Sequence, residues 1–361
     1  MTLSAAWKTS ARRVVLPLVS LAVIHLLVIL AGFVAPYDPA TQNRAAPNCP
    51  PTRLHWASAD GRLRWRPYVY AFTKDGFTQP TNEAEPCAED SRTPYPIQLL
   101  IRGVPYKILG VPTSGRHLLG VAAPAHLYLM GTDNYGRDVL SRVLYGGQIS
   151  LLAGLVATVI SLTFGVLLGT LAGFYGGWSD AVIMRGAELF LALPWLYLLL
   201  ALRACLPLHT GPRQTFLLVV AVIGCLGWAR PARLIRGAVL STKERSHLLA
   251  ARSFGASDLY LLCRHVLPET RSIVLTQAAV LIPQYVLAEV TLSFLGLGVG
   301  EPVPSWGTML GTLQQYHVLV SDWWMFFPGI VMALVFLSYF GLANALQGDT
   351  VNAGVGWDAY L

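Results

Sequence analysis

The sequence predicts an all-α integral membrane protein that crosses the bilayer several times. Hydrophobic residues make up 54% of its 361 residues and charged residues only 12%, against roughly 25% charged in soluble domains. It holds 33 Gly and 23 Pro, both commoner in membrane helices than in soluble ones. Its apolar residues gather into six runs, most of them near the ~20 residues a bilayer requires. The net charge of +7 does not point to nucleic acid, because the basic residues sit between apolar runs and not on one soluble face.

The first run, Val14 to Ala35, covers 22 residues behind Arg12 and Arg13. A cleaved signal peptide has an apolar core of ~7–15 residues followed by a small-residue cleavage site. This run is longer and Pro36 follows it directly, so it reads as a retained anchor. The remaining runs are Ile149 to Phe174, Ala187 to Leu206, Phe216 to Trp228, Ile273 to Leu297 and Trp323 to Leu346. Phe216 to Trp228 is short for a span and is expected to continue past Pro231 toward Ile235.

Short cytoplasmic segments collect Lys and Arg. Lys8, Arg12 and Arg13 mark the N-terminus as inside. Between Arg230 and Arg271 lie eight basic residues against Glu244, Asp258 and Glu269. Six spans put that segment and the C-terminus inside as well. Residues 36–130 then lie outside despite their many Arg, since loops longer than ~60 residues cross largely regardless of charge.

The outer segment differs in character from the rest. It is rich in Pro, Arg and aromatics, and RLRWRPYVYAF alternates polar and apolar residues, which suggests short strands or an irregular cap. Cys49 and Cys87 lie within it, either as a disulfide on an oxidising side or as two unpaired thiols. Cys205, Cys225 and Cys263 are too scattered for a metal site and are expected to pack between helices.

Enzymatic constellations are missing. A P-loop needs Gly-Lys followed by Ser or Thr, and none of Lys8, Lys74, Lys107 and Lys243 follows a Gly. There is no HExxH, GxSxG or CxxC. His247 and His265 read as surface or packing residues. Neither a metal nor a cofactor of its own is expected for this chain.

The inner segment ERSHLLAARSFGASDLYLLCRHVLPETRS is the informative part. Glu244 to Phe254 holds good helix formers, and Gly255 supplies a stop of the left-handed kind. Ser257 and Asp258 start a second helix, which Pro268 ends. Two short helices around a Gly form a knob that cannot bury a core of its own, so it needs a partner surface or neighbouring spans.

LAARSFG, nine residues and then HVLP resembles the cytoplasmic signature of ABC importer permeases, Glu-Ala-Ala, three residues, Gly, nine residues, Ile-x-Leu-Pro. Ala250, Ala251, Gly255, Leu267 and Pro268 match. Leu249 stands for the Glu and His265 for the Ile, and His-x-Leu-Pro points to the peptide branch. GTDNYGRDVLSRVLYGGQISL, LAEVTLSFLGLG and PSWGTML are also similar to dipeptide and oligopeptide permeases. The outer segment is longer than the usual family loop. The C-terminus lacks the family's usual Arg-Asp and Asp-Pro ending.

The resemblance implies a type I ABC importer permease fold of six transmembrane helices with an extracytoplasmic insertion after the first. It divides the chain into residues 1–35 (N-terminus and first helix), 36–130 (insertion), 131–348 (permease core, with coupling loop 236–271) and 349–361 (cytoplasmic tail). It implies a multi-pass protein of the bacterial inner membrane, embedded in lipid. The partners are a second homologous permease, ATP-binding ABC subunits that consume ATP, and an extracytoplasmic solute-binding protein. Ala250, Ala251, Gly255, Ala256, Leu267 and Pro268 would dock on an ATPase subunit, small side chains allowing close approach.

Charges within spans are costly and face a cavity or a partner. Arg185 and Glu188 are expected to pair. Glu289, with Ser293, either lines the translocation path or bonds to a neighbouring helix. Arg137, Asp138 and Arg142 alternate with Val139, Leu140, Val143 and Leu144, which reads as an amphipathic helix on the bilayer surface capped by Thr132 and Asp133.

The reading is therefore a peptide-importer permease subunit without catalytic residues. A permease for nickel or another small solute and a membrane-anchored enzyme with an extracytoplasmic domain are the alternatives. An ion-coupled carrier is a further rival, disfavoured by the few charges in the spans.

Overall fold

A computed structural model describes residues 3–57, 63–72, 87, 89–108, 111–113, 115–207 and 211–355, with the backbone alone at 3–13, 57, 63–64, 91 and 348–355. The helices are α1 (Leu3–Ile29), α2 (Ala31–Val34), α3 (Val139–Tyr175), α4 (Gly177–Ala192), α5 (Trp195–Cys205), α6 (Pro212–Leu226), α7 (Ala229–Lys243), α8 (Ser246–Ser253), α9 (Asp258–Leu261), α10 (Leu267–Glu269), α11 (Arg271–Phe294), α12 (Trp306–Gly311), α13 (Tyr316–Ser321) and α14 (Phe327–Val355). The chain falls into two compact units. One comprises residues 1–22, 151–292 and 333–361, the other 23–150 and 293–332. That partition differs from the expected boundaries, since 36–130 groups with 131–150 and 293–332.

Among the described residues four helices are long and apolar enough to cross a membrane, or five if a bent pair counts as one. The first run is divided between α1, whose apolar part is Val14–Ile29, and the one-turn α2. The third run is not straight. It bends by 94° between α4 and α5. Pro194 causes the break: its ring disfavours helical backbone at the preceding residue, and Leu193 is extended at φ −81°, ψ 138°. The fourth run lengthens as expected, through α6 and α7 to Lys243. Pro231 is tolerated there because it lies in the first turn of α7, where backbone N–H groups lack helical partners anyway.

In the unit of residues 1–22, 151–292 and 333–361, α3 packs closely against α7 along Gly165, Gly169 and Gly173, a small-residue stripe typical of membrane helix contacts. A Cβ on Gly169 would stand 2.5 Å from the Ala232 carbonyl oxygen, so no larger residue fits. Arg236 of α7 holds Asp180 of α4 through two hydrogen bonds of 2.5 and 2.6 Å.

In the other unit the chain is β-structured between α2 and α3, so the expected all-α class does not cover it. Antiparallel β1 (His55–Ala57), β2 (Leu63–Phe72) and β3 (Glu89–Pro96) form one sheet. β4 (Gln98–Arg102) pairs with β7 (Arg116–Gly120), and β5 (Lys107–Ile108) with β6 (Val111–Pro112). Of the alternating RLRWRPYVYAF stretch, Leu63–Phe72 forms β2, with Tyr68 and Val69 buried, and the leading Arg lies outside the described residues. Cys49 and Cys87 form a disulfide, their Cα atoms 5.7 Å apart. By contrast Cys205, Cys225 and Cys263 are exposed on this chain, so they do not pack between its own helices.

Candidate functional site

Three places concentrate the unusual chemistry: the knob after α7, a cavity at the α4–α5 bend, and a buried ion cluster before α3.

The knob begins with α8. Gly255 follows at φ +83°, a left-handed geometry that costs glycine nothing. Ser257 then caps α9, accepting from the Tyr260 N–H at 3.4 Å. Pro268 does not end the second helix as expected. A π-helical turn over Leu262–Val266 leads into α10, where Pro268 sits in the first turn. The wider turn fits a proline that lacks an N–H and would clash with a carbonyl four residues back. Leu248, Leu261 and Val266 are buried with Phe174, Ile235 and Val239, and Arg245 bonds Glu269 at 2.9 Å across the base. The knob is thus anchored from below. Its outer surface is left open: Phe254 is 92% exposed, and Leu249, Leu259 and Tyr260 are exposed too. Ala250 and Gly255 are exposed, while Ala251, Ala256, Leu267 and Pro268 are half-buried. A Cβ on Gly255 would meet nothing within 4 Å.

At the α4–α5 bend lies a cavity of about 510 Å³. Phe190, Leu193, Trp195 and Leu226 give it apolar walls, and Trp195 stacks on Tyr285 at 6.2 Å. The Tyr285 hydroxyl is already held by Ser161 at 2.8 Å and by the Gly227 carbonyl. Gln284 and Thr291 also reach the wall, and Arg230 is the one charged side chain among the described residues lining it. Glu289, the residue singled out from sequence, is 1% exposed and is not among those lining residues. Gln284, Ala288 and Thr291 share a face of α11 at helical spacing, and one residue further turns a side chain by about 100° away. Ser293 is buried as well and packs against Gly298. Sequence reasoning counted Arg230 only as the first of the inner basic residues; its place beside Pro231, directly after an apolar run, is the signal that could have set it apart. Arg185 and Glu188 pair at 3.0 Å, as their spacing suggested.

The third place corrects the surface-helix expectation. Arg137, Asp138 and Arg142 are buried, not spread on an interface. Asp133 accepts from the backbone N–H of Tyr135 and Arg137 and from Arg137 Nε at 2.7 Å. Glu301 accepts from Arg137 at 2.6 and 3.2 Å and from Arg142 Nη2 at 2.9 Å. Burial alone would raise the Glu301 carboxyl, but hydrogen bonds and charge from Arg137 and Arg142 hold it below the ordinary range. Thr132 and Asp133 do not cap α3. Asp138 does, through the Ser141 N–H at 2.8 Å and hydroxyl at 2.6 Å. Complete burial pushes the Asp138 carboxyl up to about 7 despite these bonds. Nearby Trp306, from the PSWGTML stretch, is fully buried and donates to the Val143 carbonyl at 2.9 Å.

A family profile described as "Binding-protein-dependent transport system inner membrane component" matches residues 165–350, leaving residues 36–130 outside. The chain is 35% identical over 225 residues to the dipeptide transport system permease protein DppC of Bacillus subtilis (strain 168), covering 62% of this chain and 68% of that protein. It is 37% identical over 223 residues to the putative peptide permease protein BRA0407/BS1330_II0404 of Brucella suis biovar 1 (strain 1330), covering 61% and 72%. The oligopeptide transport system permease protein OppC of Bacillus subtilis (strain 168) is 33% identical over 228 residues, covering 62% and 71%. A solved structure of the MetNI methionine ABC transporter in an inward-facing form covers 58% of this chain and 95% of its own at 18% identity, with a TM-score of 0.41.

Proposed function

The chain belongs to the binding-protein-dependent transport system inner membrane component family, and from that premise we propose that it is one permease subunit of an ABC importer for peptides. The observation that carries the proposal is the knob, anchored by Leu248, Leu261 and Val266 but open at Phe254 and Gly255. An exposed apolar tip on a buried base calls for a second protein to cover it. ATP-binding subunits are that partner in this reading; Ala250, Ala251, Gly255 and Ala256 would lie at the contact, with Leu267 and Pro268 behind it. ATP is bound and hydrolysed there and not in this chain.

The α4–α5 pair and Val14 to Ala35, added to the four long apolar helices, make six crossings in a type I importer fold. The N-terminus, the knob and residues 349–361 lie in the cytoplasm of a bacterial cell, with the membrane in question its inner one. Residues 36–130 face outward, where a solute-binding protein delivers peptide. A second, homologous permease closes the path. Glu289 and Ser293, being buried in this chain, would act only at a helix contact or after a conformational change.

Co-expression with a second permease, ATPase subunits and a binding protein, followed by reconstitution into vesicles, tests the proposal. Uptake of a labelled dipeptide is expected only with ATP on the ATPase side and only with all subunits present. Co-elution with no ATPase, or peptide uptake by this chain alone, overturns it.

A further inference from the structure

We propose that the cavity at the α4–α5 bend receives the carboxylate end of the transported peptide, and that Arg230 is the group that recognises it. The inference rests on the peptide-importer reading and assigns a specificity element within it. At about 510 Å³ the cavity falls in the range of small-molecule sites. Its walls are apolar apart from Arg230, Gln284, Tyr285 and Thr291. Such walls accept side chains of many shapes, which suits a ligand defined by its ends.

The sign of the charge decides which end. Arg230 is the one ionic group among the described lining residues, and Glu289 is buried away from that wall. A permanently charged guanidinium offers a fork of donors that matches a carboxylate and repels an ammonium. Arg230 lies in the first turn of α7, next to the apolar run that ends at Trp228, and its side chain is exposed on this chain. Gln284 and Thr291, about two turns apart on the same face of α11, are placed to bond peptide amides further along the ligand. The arrangement forms at the Pro194 break, where the bent span leaves the gap that a straight helix would fill.

The test uses the reconstituted complex and one dipeptide in two forms, with a free carboxylate and with a C-terminal amide. Initial uptake is measured for wild type, Arg230→Gln and Arg230→Lys, with binding-protein affinity for each form measured separately. Loss of a charge-assisted bond predicts a fall in free-acid uptake of about 10–100-fold in Arg230→Gln, with amide uptake unchanged. Arg230→Lys keeps the charge but loses the fork, and is expected to restore free-acid uptake only in part. Equal loss of both forms with weakened co-elution of the second permease assigns Arg230 to subunit pairing and overturns the inference, as does no change in either form. Failure of the wild-type complex to take up any peptide instead sinks the peptide reading, and the inference with it.

Discussion

The knob and the buried ion cluster both rest on charged and apolar residues close in sequence, yet they end in opposite states. In the cluster, Asp133, Arg137, Arg142 and Glu301 satisfy one another inside one chain, and Arg142 is only 2% exposed. Around Gly255 the base is closed and the tip is not. Burying charge demands complete pairing, because an uncompensated buried ion costs several kcal/mol. An apolar tip such as Phe254 carries no such demand and can wait for another protein. One region is therefore finished by this chain, while the other is left to be finished by a partner.

Three measurements can break or sharpen this contrast. The largest effect is expected for Gly255→Arg. Its φ of +83° disfavours any side chain, and the space above it is open. Strain should cost about 1–2 kcal/mol, whereas coupling should vanish. Peptide-stimulated ATP hydrolysis is the readout, and near-normal stimulation would remove the knob from the mechanism. Next comes Asp133→Ala, which leaves the buried Arg137 and Arg142 with Glu301 as their one remaining carboxylate in the cluster and strands two backbone N–H groups. A loss of about 3–5 kcal/mol is expected, read from the midpoint of detergent-induced unfolding, with ATPase co-elution retained at low denaturant. Loss of co-elution without loss of stability would reverse the assignment of the two regions.

The smallest effect concerns Asp138. Its folded carboxyl titrates near 7 and its unfolded one near about 3.9. The folded state therefore keeps a proton that the unfolded chain has released between those values. Stability is greatest below the lower value, falls as pH rises through the window and levels off above about 7. Asp138→Asn should flatten that slope by up to about 1.4 kcal/mol per pH unit. An unchanged slope would place the titrating group elsewhere.

The sequence made some of this legible and hid the rest for physical reasons. Span length is a property of a continuous run, so Ile149 to Phe174 and Trp323 to Leu346 could be read directly; the first lies within α3, and the second runs from a 3-10 turn at Trp323–Phe326 into α14. The knob was legible because Gly255 and Ser257 punctuate helices locally. The cluster was not, since Glu301 lies 164 residues from Arg137 and no local pattern joins them. Alternation of charge around Val139 therefore looked like an amphipathic helix on the bilayer surface. The 94° bend had a visible cause in Pro194, but its angle depends on what packs on either side. The Arg230 cavity needed that bend before the charge had anything to face.

The bond between Cys49 and Cys87 has a topological consequence. It closes a covalent ring across a sequence separation of 38 residues. A single cut anywhere between them leaves the polypeptide in one piece until a reductant is added. Protease applied to one face of sealed membranes would thus produce no change on a non-reducing gel and two fragments on a reducing one, provided that face carries the ring. The bridge turns residues 50–86 into a built-in reporter of which side of the membrane this chain shows to the outside.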